Sequence, residues 1–253
     1  MNYRNILLRG STILKKNNLA NADIDAECLL SYSLNKSREN ILLNLNEKVN
    51  LTKFKNYISL IYRRRNKEPI SHITKKRFFW KSDYFINNKV LTPRFETELL
   101  VEHILKIFRF SNRLNMIDLG LGSGCILISI LKEKKQWVGT GVDISKLAIK
   151  IAKTNAKIQQ VYNRIRFINS DVDKYIDGKY DLVVSNPPYI NKVGYSNLDV
   201  SVKDYEPKLA LYGGIDGYKI IEKVIKKSKC ILKTKGILAM EIGIDQKYKS
   251  IKF

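Results

Sequence analysis

The segment Asn186-Pro187-Pro188-Tyr189 holds the residues best suited to chemistry. It follows an apolar run, Asp181 to Ser185, that reads as a buried strand. Neither proline has an N–H to donate to a sheet ladder, so the chain must leave the sheet there. Proline fixes its own φ and restricts the residue before it, which pins both Asn186 and Pro187. Backbone carbonyls, a carboxamide and an aromatic face are thereby held at a strand end. Such a set suits gripping a planar group that carries an –NH₂. The alternative is a purely structural turn.

Three other stretches could hold a ligand beside it. Asp118-Leu119-Gly120-Leu121-Gly122-Ser123-Gly124 leaves one apolar run and enters another. Glycines let a backbone approach a ligand closely, and the following helix N-terminus adds a positive dipole end. A dinucleotide fingerprint counted from Gly120 needs glycine at 125, where Cys125 stands. The G-x-G-x-G form suits a ligand without a pyrophosphate, such as S-adenosylmethionine. Asp143 ends the run Thr140-Gly141-Val142 and can accept from both hydroxyls of a ribose; as a lone residue it could instead cap the next helix. Asp171, followed by Val172, can accept from an adenine amino group or be an ordinary loop residue. All four stretches fall where the C-terminal ends of parallel strands are expected, and α/β sheets bind ligands there.

The elements that must position these residues alternate. A helix is expected over Thr97 to Phe108, with Leu99, Leu100, His103, Ile104 and Ile107 on or near one face. Strands are expected at Asn115 to Leu119, Trp137 to Val142, Ile165 to Ile168, Tyr180 to Ser185 and Ile237 to Glu241. Helices are expected over 124–134, from Ser145 as cap through Ala156, and from Asp216 to about Leu232, with a long polar segment over 190–207. This pattern implies a Rossmann-like, mainly parallel sheet covered by helices on both faces. Residues 70–91 read as a β-hairpin linker with its turn at Lys81-Ser82-Asp83. Residues 1–69 read as a small helical domain. Asn21 and Ser37 are candidate caps, and Thr52 starts a helix with the stripe Phe54, Tyr57, Ile58, Ile61 and Tyr62. Arg63-Arg64-Arg65 closes it as a basic end that could touch a partner but is read as a solvated helix terminus, and Glu68-Pro69 stops it.

Composition bounds the rest. The 253 residues are 44% hydrophobic, enough for a core of substantial size. No run reaches membrane-span length and no leader is evident, which points to a soluble protein of the cytoplasm. Cys28, Cys125 and Cys230 are widely spaced and read as small buried residues rather than metal ligands or a disulfide. His72 and His103 lack partners at ligand spacing, so no metal is expected. The formal net charge of +22 permits a polyanionic partner. Lys, Asn and Ile are abundant throughout, however, and the charge is spread rather than blocked, which favours compositional drift.

Together, the glycine loop, the strand-end Asp143 and Asn186-Pro187-Pro188-Tyr189 resemble class I S-adenosylmethionine-dependent amino-methyltransferases. Within them the chain is similar to the release-factor glutamine methyltransferases, the PrmC/HemK family. That narrower resemblance rests also on Thr92-Pro93-Arg94-Phe95-Glu96-Thr97-Glu98, on Arg63 to Arg65 with Glu68-Pro69-Ile70-Ser71-His72-Ile73, and on Phe78-Phe79-Trp80. It implies a methyl transfer from S-adenosylmethionine to the glutamine amide of a Gly-Gly-Gln motif in peptide-chain release factors. It implies that 1–69 recognises substrate, 70–91 links, and 92–253 is the methyltransferase domain. Gly120, Leu121, Gly122, Ser123, Gly124, Asp143, Asp171, Val172 and Asn186 would bind the cofactor. Asn186, Pro187, Pro188 and Tyr189 would hold and orient the glutamine. A monomer is expected, with release factors as partners, no membrane, and nucleic-acid contact permitted but not required.

Departures from the family pattern carry their own expectations. Leu121, where a small or polar residue is usual, would narrow the methionine pocket. Val172, where an aromatic is common, would remove adenine stacking. The stretch after Glu241 is short for the family, so the fifth strand would form a sheet edge and the domain would be shortened. The alternatives are a nucleic-acid amino-methyltransferase acting on adenine or cytosine and a degenerate protein that only binds S-adenosylmethionine.

Overall fold

Apolar residues at helical spacing in the N-terminal third produce α1 (Tyr3–Lys15), α2 (Ala22–Leu34), α3 (Arg38–Leu43), α4 (Leu51–Arg65) and α5 (Ile70–Thr74). The structure, a computed structural model, describes residues 1–253. It divides into two units, Met1–Lys75 with Val200–Tyr205, and Lys76–Asp199 with Glu206–Phe253. In the first unit Asn2, Ser37 and Asn50 cap α1, α3 and α4, each side-chain oxygen accepting from the amide three residues on. Asn21 stands before α2 but makes no side-chain cap bond. Helix α4 begins one residue before Thr52, because Asn50 supplies its cap.

The buried face of α4 is Tyr57, Leu60 and Ile61, whereas Tyr62 is 49% exposed with Arg65 over its ring. Phe54 and Ile58 pack against the same core, so the expected stripe holds except that Leu60 is buried and Tyr62 is not. The basic end is not simply solvated: Arg63 pairs with Glu68, Arg64 with Asp25, and Arg65 reaches Asn17. Pro69 then starts the short α5 as its N-terminal flank instead of leading directly into strand. The core of this unit is built on Ile6, Leu14, Leu29, Leu30, Ile41, Tyr57 and Ile61.

The second unit opens with the hairpin β1 (Lys76–Phe79) and β2 (Ser82–Phe85). Its turn is Trp80-Lys81 alone, with φ of +40° and +59°, the backbone twist that a two-residue hairpin turn needs. Ser82 and Asp83, expected in the turn, pair with Phe79 and Phe78. Next come α6 (Thr97–Ile107), β3 (Asn115–Leu119), α7 (Cys125–Glu133), β4 (Val138–Asp143), α8 (Lys146–Ile158), β5 (Ile165–Asn169) and β6 (Tyr180–Ser185). Three short helices follow, α9 (Lys192–Ser196), α10 (Val200–Lys203) and α11 (Lys208–Leu211), in the segment that reads as merely polar. The unit closes with α12 (Lys219–Ile231), β7 (Leu232–Met240) and α13 (Lys247–Ile251). Helix α12 starts later than Asp216 because Gly217 adopts φ +83°.

The five-stranded sheet is wholly parallel, in the order β5-β4-β3-β6-β7, so β7 is an edge. Successive side chains go to opposite faces. Met116, Leu182 and Val184 join the core under α6, α7 and α8, while Ile117, Leu119 and Val183 join that under α12. On α6 the buried residues are Thr97, Val101 and Ile104, and the expected face members Leu99 and Ile107 are exposed. Of the cysteines only Cys125 is buried; Cys28 is half-buried and Cys230 lies exposed on α12, which departs from the reading of three buried thiols. No helix is long and apolar enough to cross a membrane.

One buried group in the N-terminal unit is poorly served. The Tyr57 hydroxyl is buried without a hydrogen-bond partner and lies against Gly10, where an added Cβ would sit 1.9 Å from it. Leaving a buried hydroxyl unpaired costs about 1–3 kcal/mol. Tyr57→Phe is therefore expected to stabilise the protein by ~1 kcal/mol in urea unfolding, and a loss of stability would show that the hydroxyl is paired.

Candidate active site

The sheet topology brings the four candidate stretches together. The strand order reverses between β3 and β6, and a cavity of about 330 Å³ opens beyond the C-terminal ends of the strands. Gly120, Gly122, Asp143, Asp171, Val172 and Asn186 all line it. Gly120 and Gly122 have φ of +89° and +55°, and a Cβ on Gly120 would meet nothing within 4 Å. The turn thus presents bare backbone to the cavity.

Asp143 is the anchor of that turn. Its Oδ2 accepts from the Gly122 N–H at 2.8 Å and its Oδ1 from the Ser145 N–H at 2.8 Å. Burial pushes its carboxyl upward from the ordinary range, and these two amides act in the opposite sense. Each oxygen keeps lone-pair capacity for a further donor. Two ligand hydroxyls on one carboxylate would meet that capacity. Apolar side chains from Leu91, Ile144, Ala148 and Ile220 line the cavity and could pack against a base. Exposed glycine backbone, a strand-end carboxylate and apolar walls fit a nucleoside-bearing cofactor.

Not every expected cofactor residue faces this cavity. Leu121 is buried and packs on Gly141, where an added Cβ would sit 2.5 Å from Leu121 Cδ2. It fills the space between loop and sheet and so does not narrow the pocket. Ser123 is buried, and its carbonyl accepts from Asn155. Gly124 lets α7 close on its neighbour, since a Cβ there would lie 2.8 Å from Ile128 and 3.2 Å from Ala152. These three shape the turn from behind. Asp171 lines the cavity, but its Oδ1 accepts from the Asp173 N–H and its Oδ2 lies 3.6 Å from Lys223 Nζ.

A second, much smaller cavity of about 40 Å³ adjoins the first, and Leu91, Asn186, Pro188 and Ala210 line both. Pro187, Tyr189, Ile190, Leu211, Arg94 and Glu241 complete it. The Asn186–Tyr189 exit is held from several sides. The Gln246 side chain donates to the Tyr189 carbonyl at 3.1 Å, and the Ile190 N–H donates to the Leu211 carbonyl. Burial, followed by the nearby Glu241 charge, pushes the Tyr189 hydroxyl up to about 12, so it remains a donor.

Residues that sequence reasoning did not single out complete the surroundings. Arg94 donates to both oxygens of Glu206, whose side chain is 2% exposed. Burial raises the Glu206 carboxyl and Arg94 opposes that rise. Thr97 donates to Glu241 and accepts from Asn186. Arg94 and Thr97 lie within the Thr92–Glu98 stretch, so a signal existed for them. Glu206 and Glu241 had only their placement, one in a polar segment and one at the end of an apolar run.

Fold and site together define the Rossmann-like class of S-adenosylmethionine-dependent methyltransferases. Residues 94–201 match the family model described as methyltransferase small domain, and residues 5–74 match that described as PrmC N-terminal domain. The chain is 36% identical to the release factor glutamine methyltransferase of Clostridium acetobutylicum, over 97% of this chain and 87% of that one. It is 36% identical to the same-named protein of Buchnera aphidicola, over 100% and 90%. Against that of Caulobacter vibrioides it is 35% identical, over 92% and 81%. The chain belongs to the release factor glutamine methyltransferase family.

Asp118 lies two residues before the glycine turn, fully buried, with neither carboxyl oxygen hydrogen-bonded. Burial first, and then the charge of Asp143, push its carboxyl up to about 7. Unfolded, the same group titrates near ~4. Between these values the folded protein binds the extra proton at this group, so the contribution of Asp118 to stability falls as pH rises from about 4 to about 7 and is constant above. Asp118→Asn lacks that loss. Relative to wild type, the variant should gain up to ~4 kcal/mol across this window. Urea unfolding of both proteins at pH 5 and pH 8 checks it, and a difference that does not move with pH counts against a titrating Asp118.

Proposed function

We propose that the protein transfers a methyl group from S-adenosylmethionine to the glutamine side-chain nitrogen of the Gly-Gly-Gln motif of peptide-chain release factors. The observation that carries this reading is the meeting of the two cavities at Asn186. One is walled by the glycine turn and Asp143, the other by Pro187, Pro188 and Tyr189.

When bound, S-adenosylmethionine supplies an electrophilic methyl on a sulfonium. Gly120, Gly122 and Asp143 would hold it, with Val172 among the apolar walls. Leu121, Ser123 and Gly124 support that turn, and Asp171 acts through its link to Lys223 and the following turn.

A carboxamide nitrogen is a weak nucleophile because its lone pair is delocalised into the carbonyl. The protein's task is to orient that nitrogen and stabilise the positive charge that builds on it. The Asn186 side-chain oxygen and the Pro187 carbonyl each accept one N–H of the glutamine. Pro188 keeps the exit rigid, and Tyr189 packs against the planar amide. Methylation makes the amide nitrogen strongly acidic, so its proton leaves to water or a backbone carbonyl without a dedicated base. The N-terminal helical residues, 1–69, serve to recognise the release factor, 70–91 connect, and 92–253 carry the chemistry.

Asn186→Ala should abolish transfer, by at least about 100-fold, while weakening S-adenosylmethionine binding much less than it weakens transfer. Asp143→Ala should do the reverse first, weakening cofactor binding by roughly 10-fold or more through loss of a charge-assisted hydrogen-bond acceptor. Calorimetry with S-adenosylmethionine and mass spectrometry of the Gly-Gly-Gln peptide provide the two readouts. Wild-type turnover by the Asn186 variant, or no added methyl on the glutamine with wild-type enzyme, would reject the assignment.

A further inference from the structure

We infer that Thr97 and Glu241 are positioning residues that decide which end of the Asn186 carboxamide faces the substrate. The inference rests on the reading of Asn186 as the group that accepts from the glutamine nitrogen. It concerns how that polarity is set, since Asn can present either an acceptor oxygen or a donor –NH₂. An –NH₂ turned into the pocket would oppose the glutamine –NH₂ and leave both donors unpaired.

The polarity is set by a chain of hydrogen bonds with one sense. Glu241 as a carboxylate can only accept. Thr97 Oγ1 lies 2.7 Å from Glu241 Oε2, so the threonine proton is committed to that bond. The Tyr189 hydroxyl donates to the other carboxylate oxygen at 3.3 Å, which holds Glu241 in place. With its only proton spent, the Thr97 oxygen can do nothing toward Asn186 except accept. The Asn186 atom 3.1 Å from it must therefore be the –NH₂. The carboxamide oxygen is left as the end available to a substrate N–H.

The backbone keeps these groups in register. The Glu241 N–H donates to the Ser185 carbonyl at 3.0 Å, continuing the β6–β7 pairing to the residue just before Asn186. Thr97 is 2% exposed at the start of α6, so water does not compete for its hydroxyl. Three elements distant in sequence thus converge on the orientation of one amide.

The full-length protein with purified release factor tests this. The variants are Thr97→Val, which keeps shape but removes the hydroxyl, Thr97→Ser, which restores it, and Glu241→Gln, which ends the acceptor-only restriction. Release factor whose Gly-Gly-Gln glutamine is replaced by Glu serves as competitive inhibitor, because a carboxylate prefers an Asn –NH₂. Thr97→Val is expected to lose roughly 10- to 100-fold in kcat/KM for release factor, with S-adenosylmethionine affinity within about twofold of wild type. Thr97→Ser should recover most of that loss. The preference for the glutamine form over the Glu form should narrow at least about fivefold in Thr97→Val, and in the same direction in Glu241→Gln.

A structural role alone would weaken both forms equally. Wild-type kcat/KM in Thr97→Val, or a loss with an unchanged Gln/Glu preference, overturns the inference. If the valine variant fails to fold, Thr97→Ala and Thr97→Ser decide it: the first must narrow the preference and the second must preserve it, because Glu241→Gln also removes a charge that itself repels the Glu form. Absence of transfer by wild type would instead overturn the reaction assigned above, and that arm is read before any variant.

Discussion

Much of this structure depends on the fact that the backbone of β6 cannot go on pairing after Ser185. Two consecutive prolines supply no N–H, so the chain must turn out of the sheet with Asn186 at the break. The neighbouring strand β7 runs on to Met240, and the Glu241 amide still finds the Ser185 carbonyl. A carboxylate is therefore delivered beside the point where β6 departs. The α6 start, the Gln246 side chain and the Leu211 carbonyl then fasten the departing segment. What appears as a rigid strand exit is rigid because groups from four separate stretches close on it.

The C-terminal end of the same sheet concentrates electrostatic cost. Asp118 and Asp143 lie on adjacent parallel strands, and both are raised by burial. Asp143 is compensated by the Gly122 amide of the glycine turn and by the Ser145 amide before α8, whereas Asp118 has no such partner. Arg94 and Glu206 show a third solution, a buried carboxylate met by a two-oxygen guanidinium contact. A protein with a net charge of +22 nevertheless gathers Asp118, Asp143, Asp171, Glu206 and Glu241 around one end of its sheet. Titratable groups shifted by burial and by one another concentrate at functional sites.

The parts of the fold that could be read in advance are those set by local chemistry. The strand Tyr180–Ser185 is bounded by a proline pair and Asn115–Leu119 by a glycine turn, and each strand lies where its residues placed it. Hairpin and helix details were less legible because tertiary packing decided them. Nothing local says that Trp80 and Lys81 will take positive φ so that Ser82 can pair with Phe79. Nothing in a 3.6-residue period chooses Leu60 over Tyr62 for the core of α4. Within the glycine turn, sequence marks all five positions alike, and only the packing of Leu121 on Gly141 and of Gly124 on Ile128 separates supports from cavity wall. Thr97 and Glu241 were hidden for a further reason: their importance is relational, residing in a hydrogen-bond direction that spans elements more than a hundred residues apart.

The shared wall between the two cavities has a kinetic meaning. Leu91, Asn186, Pro188 and Ala210 border both chambers, and no side chain on that wall is a nucleophile suited to carrying a methyl group. Under the proposed chemistry, the carbon must pass from donor to acceptor in one step with both guests in place. Double-reciprocal plots that vary one substrate at fixed levels of the other would then intersect, not run parallel, and dead-end complexes would form when a spent donor remains as fresh acceptor arrives. Under that chemistry, two cavities that share one wall call for a sequential mechanism in which both guests are bound before the methyl group moves.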